Sequence, residues 1–309
     1  MADEFYICEE TAGYGNAVPN PVWTKLRIDT CTLKLTKASR VTKGQREDKQ
    51  IAGLRHGTRD VAGEITSKEM YYGEYDALFE AGMRTNWAVN TPALGTDQAK
   101  VGMTRRSFNV LRKLGDISDK PFLLYTGIEV NTFAPTPVPN GEIGIKFGLI
   151  GLDMSAPSAT EPAGSSYATE NSTGPMDSFV GLINIDDVGS AVVTEITPSL
   201  ENGMQARKII GQPQGIRPSI GSPDLKSTVT AYCDDMVLYE RFLNEIETKV
   251  DLTIADAAGN AYKFILPAGK PTDGSVDTGD GDRMISLPMQ FYYDAVSQTN
   301  MILERTPIA

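Results

Sequence analysis

His56 is the only histidine in the 309-residue chain, and it lies in the charged stretch LRHGTRD. A Ser-His-Asp triad needs a histidine oriented by a carboxylate, and His56 stands alone, so it reads as a surface side chain. A single histidine also excludes HExxH and every multi-histidine metal site. Asp277, Asp280 and Asp282, in VDTGDGDR at 276–283, could offer oxygens to calcium. Their spacing is not that of an EF-hand loop and no bidentate Glu closes it, so a solvated hairpin loop is the better reading. Cys8, Cys31 and Cys233 share no close spacing and suit neither a zinc site nor a disulfide framework. They read as free, buried thiols. The adjacent carboxylates Asp186–Asp187 would point opposite ways in a strand, and Asp234–Asp235 suit the start of a helix. No Walker A or glycine-rich dinucleotide run follows a strand. The basic run Lys34, Lys37, Arg40, Lys43, Arg46 and Lys49 lacks interleaved aromatics and is diluted by Glu47 and Asp48. A nucleic-acid reader would look different, and this run reads as a protein–protein contact or a solvated loop. No enzyme activity, metal or cofactor is expected.

The elements that position these residues are mostly strands. Glycine (29) and proline (18) are plentiful, which favours strands and turns over a helical bundle. Ile143, Ile145, Phe147 and Leu149 alternate with Glu142, Gly144, Lys146 and Gly148, the period of a strand. With the PVPNG turn before them they predict a long hairpin over 128–151. In GEITSKEMYYGEYDALFEAGM, residues 63–83, strand period gives way to helix period at Tyr75, Leu78, Phe79 and Met83. STVTAYCDDMVLYERFLNE, residues 227–245, does the same, with Leu238, Phe242 and Leu243 facing in. Residues 1–22 read as an arm that needs a partner to hold it. Residues 38–58 and 203–223 read as long irregular loops. Residues 155–176, rich in Ser, Thr, Gly and Pro, read as a linker or surface loop between modules at 23–154 and 177–309.

Laying one half on the other with a shift of 164 pairs Asp60 with Asp224, Ile65 with Val229 and Thr66 with Thr230. It also pairs Tyr75 with Tyr239, Leu78 with Phe242 and Phe79 with Leu243. The order of elements repeats, which suggests an internal duplication. Charge does not repeat. Residues 1–154 hold 19 Lys plus Arg and 19 Asp plus Glu, so the whole net charge of −11 lies in residues 155–309. An acidic surface repels phosphate and argues against nucleic acid as a ligand. No apolar run is long enough to span a membrane. MADEFYICEE lacks the basic-then-apolar plan of a signal peptide, which predicts synthesis in a cytoplasm.

Four stretches together resemble the tail tube proteins of long-tailed (siphovirus-type) bacteriophages. They are residues 63–83, RRSFNVLRKL, LLYTGIEVNTFAPTPVPNGEIGIKFGLIGLDM, and the block from STVTAYCDD through VDLTIADAAGNAYKFILP. The resemblance runs over residues 25–300 and rests on loose patterns rather than a catalytic motif. It implies a β-sandwich or partial barrel with a flanking helix, related in fold to the tube proteins of contractile tails and type VI secretion. The fold class expected is therefore mainly β with short α-helices, as two tandem tube modules. Such proteins stack as rings into a hollow conduit for the genome. Six modules make a ring, so a two-module chain would close it with three copies, giving pseudo-sixfold symmetry; six copies are the fallback. The implied partners are other copies of the chain, a tape-measure protein and tail-tip or terminator proteins. DNA would pass without specific binding, past a net negative, polar wall. The implied location is the virion tail, after synthesis in the host bacterial cytoplasm. Alternation nominates Glu64, Thr66, Lys68, Glu142, Lys146, Thr228, Thr230, Ser286 and Gln290 for the lumen. Tyr6, Tyr14, Arg40, Lys43, Arg46 and Lys49 are nominated for ring-to-ring contacts. A receptor-binding or capsid-decoration β-protein, forming discrete oligomers, is the alternative.

Overall fold

The computed structural model describes residues 3–42, 48, 50, 51, 53–137, 141–186, 193–233, 236–277 and 282–308, with backbone alone at 179 and 180. The first half carries β1 (Glu4–Glu9), β2 (Val22–Leu26), β3 (Thr30–Cys31), β4 (Lys34–Thr42), β5 (Gly53–Ser67) and α1 (Asp76–Met83). There follow β6 (Asp97–Lys100), β7 (Phe108–Lys113), β8 (Phe122–Thr136), β9 (Gly144–Gly151), β10 (Asp153–Met154) and β11 (Ser166–Tyr167). The second half carries β12 (Met176–Ile185), β13 (Val193–Glu201), β14 (Gln205–Arg207), β15 (Ile216–Ser219), β16 (Asp224–Tyr232) and α2 (Val237–Leu243). It closes with β17 (Thr248–Asp256), β18 (Ala261–Pro271), β19 (Ser275–Val276), β20 (Met284–Phe291) and β21 (Ile302–Thr306). The chain is mainly β with short helices. No helix among the described residues is long and apolar enough to cross a membrane.

Alternation decides which way each front strand faces. Val61, Ile65 and Ser67 on β5 are buried while Ala62, Glu64 and Lys68 are exposed. On β20 every second side chain, from Ile285 to Phe291, is buried. These strands join an antiparallel front sheet of eight, in the order β4–β5–β9–β8–β13–β16–β20–β18. Behind it, β2–β1–β7–β8–β10 and β12–β17–β18–β21–β6 form the second layer. Two strands belong to both layers. β8 pairs with β7 up to Ile128 and with β9 from Glu129 onward. β18 pairs with β21 over 261–265 and with β20 only at 269–271.

The two halves use the same pairings. β4, β5, β9 and β8, backed by β7 and β1, are matched by β13, β16, β20 and β18, backed by β17 and β12. Leu35 lies opposite Val61 and Leu200 opposite Leu225, while Ile65 faces Phe147 and Val229 faces Leu287. β5 and β16 therefore correspond at a shift of 164, with β4 and β13 at 165 and β9 and β20 at 140. The helices do not. Their N-caps are Tyr75 and Met236, and each is followed by one left-handed residue, Arg84 at φ 54° and Glu245 at φ 52°. Thr85 N–H bonds Glu80 C=O just as Ile246 N–H bonds Arg241 C=O. The helix shift is 161, so Tyr75–Tyr239, Leu78–Phe242 and Phe79–Leu243 are not counterparts. The connection into α2 is three residues shorter, which is nearly one helical turn, so the apolar stripe still looked aligned.

Several segments differ from expectation. Residues 1–22 are not a loose arm: β1 sits between β2 and β7, with Phe5, Tyr6 and Ile7 buried. Residues 38–58 are largely the ends of the β4–β5 hairpin, paired out to Thr42 and Gly53. No alternation marks them because both faces of the described ends, 37–42 and 54–56, are exposed. Lys43, Arg46, Lys49 and Asp280 lie outside the described residues, as do Asp234 and Asp235. Within 203–223, β14 and β15 form a two-stranded hairpin. The 155–176 segment is tied to the first half: β11 runs parallel to β2, and Trp23 Nε1 donates to Ser165 Oγ at 2.9 Å. Residues 261–265 of β18 pair with β21 in the back layer, and only 269–271 reach β20. Leu243, expected inside, is 61% exposed.

One hydrophobic cluster runs through both halves, from Phe5 to Leu303. Its centre is aromatic. Phe79 of α1 packs on Phe133, Phe147, Tyr262 and Phe264 with ring centroids 5.5–6.1 Å apart.

Candidate assembly surface

The feature with the most chemistry is the joint where the halves meet edge to edge. Phe133 and Thr132 on β8 pair with Leu200 and Glu201 on β13. Asn202 N–H then donates to Asn131 C=O at 2.8 Å, and Met204 N–H to Asn131 Oδ1 at 2.7 Å. The Asn202 side chain, fully buried, donates to Gly82 C=O in the last turn of α1 at 2.7 Å. It satisfies one of the carbonyls a helix end leaves open. Gly82 has to be small, since an added Cβ would fall 2.7 Å from the Phe133 ring. Arg84, also buried, donates to Gly221 C=O at 3.3 Å. Burial pushes its guanidinium below the usual arginine range, and Arg105 adds to the shift.

Two ionic clusters, one around the buried Glu129 and one around the half-buried Asp76, lie on either side of the joint. Glu129 on β8 accepts from Arg105 and, at 2.7 Å, from Arg217 Nε. Arg217 lies over the Tyr14 ring, 5.1 Å from its centroid. This holds the β14–β15 hairpin across the first half, where Lys208 also reaches Asp60 at 2.6 Å. Opposite, Asp76 of α1 accepts from Tyr262 and from Arg305, and Arg305 also pairs with Asp97 at 2.8 Å. Burial pushes the Asp76 carboxyl up, while Tyr262 and Arg305 pull it down.

The face of the front sheet away from the helices is polar. Glu64, Thr66, Lys68, Lys146, Thr228, Thr230, Ser286 and Gln290 all lie on it. Thr66 stands opposite Lys146, Thr230 opposite Ser286, and Gln290 opposite Lys226. Lys146 bridges Glu64 at 2.8 Å and Lys226 bridges Asp224 at 2.6 Å. The Asp224 carboxyl is held low by Lys226 and then by Gln290. Glu142 falls just before β9, bridged to Asp177, and the Glu69 carboxylate beside it pushes its carboxyl up. The face is not net negative as expected. Five lysines on it, Lys34, Lys68, Lys146, Lys226 and Lys270, stand against five carboxylates, Asp60, Glu64, Glu195, Glu201 and Asp224.

The nominated contact residues fare differently. Tyr6 is 7% exposed, edge-on to Tyr167 at 5.1 Å, and is committed inside the fold. Tyr14 is taken up by Arg217. Arg40 is exposed on β4, opposite Arg55.

The two ends of the front sheet differ in charge. At the β4 end, Lys34, Lys37, Arg40 and Arg55 are exposed. At the other end, the last residues of β18 and all of β19 lie beside α2, Gly274 packing near Phe242. There Glu240, Glu245, Glu247 and Asp273 are exposed. Leu243 and Ile246 are 61% and 42% exposed, whereas α1 buries Gly82 and Met83.

Sequence reasoning missed Asn131, Asn202, Glu129 and Glu245. Single polar residues at strand and helix ends have no periodic signature; only the left-handed geometry after each helix marks Arg84 and Glu245 as counterparts. Among the described residues no group of His, Cys, Asp and Glu could hold a metal ion.

Comparison with curated proteins gave no match. A family model described as phage tail tube protein matches residues 4–291, from β1 through β20. That span contains both four-strand units, both helices and the joint between them, and on this match the chain belongs to the phage tail tube protein family, as a structural component of the virion tail that assembles with itself into the tube and associates with other tail proteins.

Proposed function

We propose that copies of this chain close into rings by repeating, between copies, the joint that β8 and β13 make within one. The observation that carries this reading is which edges stay open. The front sheet ends at β4, the counterpart of β13, and at β18–β19, the counterpart of β8. Open edges invite pairing. Joining the last strand of one copy to β4 of the next is a heterologous contact that closes when the rotation permits. Two modules per chain, 23–154 and 177–309, arising from a duplication, then need three copies per ring, with true threefold and approximate sixfold symmetry.

Rings stack into a hollow tube in which the polar front face lines the lumen. The wall is dominated by hydroxyls, and two of its lysines, Lys146 and Lys226, pair with Glu64 and Asp224 beside them, which leaves less free positive charge to hold phosphate and slow genome ejection. The β4–β5 hairpin, with Arg40, reaches the adjacent ring. Tape-measure protein occupies the lumen before DNA, terminator and tip proteins cap the tube, and the chain is made in the host bacterial cytoplasm.

Negative-stain electron microscopy of the purified protein, with rotational averaging of end-on views, tests this. Hollow tubes or stacked rings with threefold averages are expected. Strict sixfold averages would replace three copies with six. Discrete particles that never elongate, even with a tape-measure or tip nucleator, would favour a receptor-binding or capsid-decoration role.

A further inference from the structure

The structure carries an asymmetry at the ring joint that strand pairing alone does not explain. Within the chain, Asn202 lies two residues past Leu200 and reaches the C-terminal turn of α1 through Gly82 C=O. Leu200 and Leu35 hold matching places, opposite Leu225 and Val61. Two residues past Leu35 is Lys37. Like Asn202, it has the parity of the helix-bearing face, yet it is exposed and makes no ion pair among the described residues. The counterpart of Gly82, counted from the N-caps Tyr75 and Met236 and from the left-handed residues Arg84 and Glu245, is Leu243. The cap hydrogen bonds of α2 go to the carbonyls of Glu240, Arg241 and Phe242, which leaves Leu243 C=O available. The counterpart of Arg84 is Glu245, whose side chain is 84% exposed and only 3.9 Å from Lys270, a loose surface pair of little worth.

We infer that Lys37 of one copy docks on the C-terminal turn of α2 of the neighbouring copy, donating to Leu243 C=O and pairing with the Glu245 carboxylate. This rests on the ring reading above. A cation at a helix C-terminus is favoured by the helix dipole, and the carboxylate makes the contact charge-assisted. The lysine stem covers Leu243 and Ile246, the apolar surface that α2 exposes. The joint inside the chain is neutral, through Asn202, and the joint between copies is ionic. The two kinds of joint in a ring therefore differ in chemistry. A basic edge can meet only an acidic one, so a copy cannot pair with its own kind of edge, which sets the direction of ring closure.

The test is a charge swap. Lys37→Glu, Glu245→Lys and the double variant are purified, their folding is checked by circular dichroism and melting, and the critical concentration for ring or tube formation is measured by sedimentation. Both residues are exposed, so all three variants should melt like wild type. Each single reversal is expected to raise the critical concentration about tenfold or more, with the double variant recovering part of that loss: the ion pair re-forms with its signs exchanged, but a carboxylate at position 37 cannot donate to Leu243 C=O. Single variants that assemble like wild type, or a double variant no better than the singles, would overturn the Lys37 contact and leave the ring standing. A wild-type protein that forms no ring would overturn both.

Discussion

At the scale of single residues, the most consequential side chain is Glu129, a buried carboxylate held by two arginines from different halves. Removing one member of a buried ionic cluster leaves the others uncompensated, at a cost of about 3–5 kcal/mol. Glu129→Ala should lower stability by that order in urea melts and open the β14–β15 hairpin to proteolysis between 205 and 219. Unchanged protection of that segment would refute the locking role. The tyrosines set the alkaline limit. Burial, aided by neighbouring carboxylates, pushes Tyr6, Tyr71, Tyr72 and Tyr292 up to about 12. A raised folded-state value means that the stability from keeping these phenols neutral is complete below their unfolded value of about 10 and is lost as pH rises through about 12. Titration at 295 nm should show a late phase of phenolate appearing together with unfolding. Absence of that late phase would contradict the shielding of these four.

At the scale of elements, β1 alters what the N-terminus is for. It contributes Phe5 and Ile7 to the main core and pairs along its length with β7. Deleting residues 1–20 should give a chain that is insoluble or lacks native circular dichroism. A truncated protein with native melting behaviour would return the segment to the status of an arm. The contrast between the helices is equally concrete. α1 is covered because β13 and Asn202 close over its end, whereas the equivalent end of α2 stays open beside the acidic edge. Helix pattern was readable in both, but the slip between shifts of 164 and 161 was not. Helical period repeats nearly every turn, so a connection that loses three residues keeps the same stripe.

At the scale of the molecule, one core spans both halves. Phe79, Phe133 and Phe147 from the first touch Tyr262 and Phe264 from the second, and Asp76 binds Arg305 across the same boundary. Calorimetry should therefore show a single cooperative transition, and residues 23–154 or 177–309 expressed alone should not fold; two resolved transitions would contradict this. The lumen reading has its own consequence. Thr66, Thr228 and Thr230 project from one polar face, so changing all three to Lys should leave folding intact. It should also make assembled tubes retain DNA with steep salt dependence, where wild-type tubes release it. Equal DNA retention by both would remove that face from the lumen.

The amino-acid sequence by itself determined the strand patterns, the two strand-to-helix units and the resemblance to tail tube proteins. These are local: alternation on β5, β9 and β20 reflects one buried face per strand, and the side-chain period of two carries that information directly. Alternation also puts Glu64, Thr66, Thr228, Thr230 and Ser286 on the polar face of the sheet, whose place in a lumen is the proposal above. Only the tertiary structure decided the rest. The ends of β4 and β5 at 37–42 and 54–56 are exposed on both faces, so no alternation distinguishes them from a loop. β8 and β18 each change layers partway along, β8 just after Gly127 at φ 67° and β18 between Ile265 and Gly269, across Pro267; a lone Gly or Pro in a strand fits a bulge or an edge equally well. The correspondence of Lys37 with Asn202, and of Glu245 with Arg84, depends on strand register and helix-cap geometry. Both are properties of long-range pairing that side-chain periodicity does not encode.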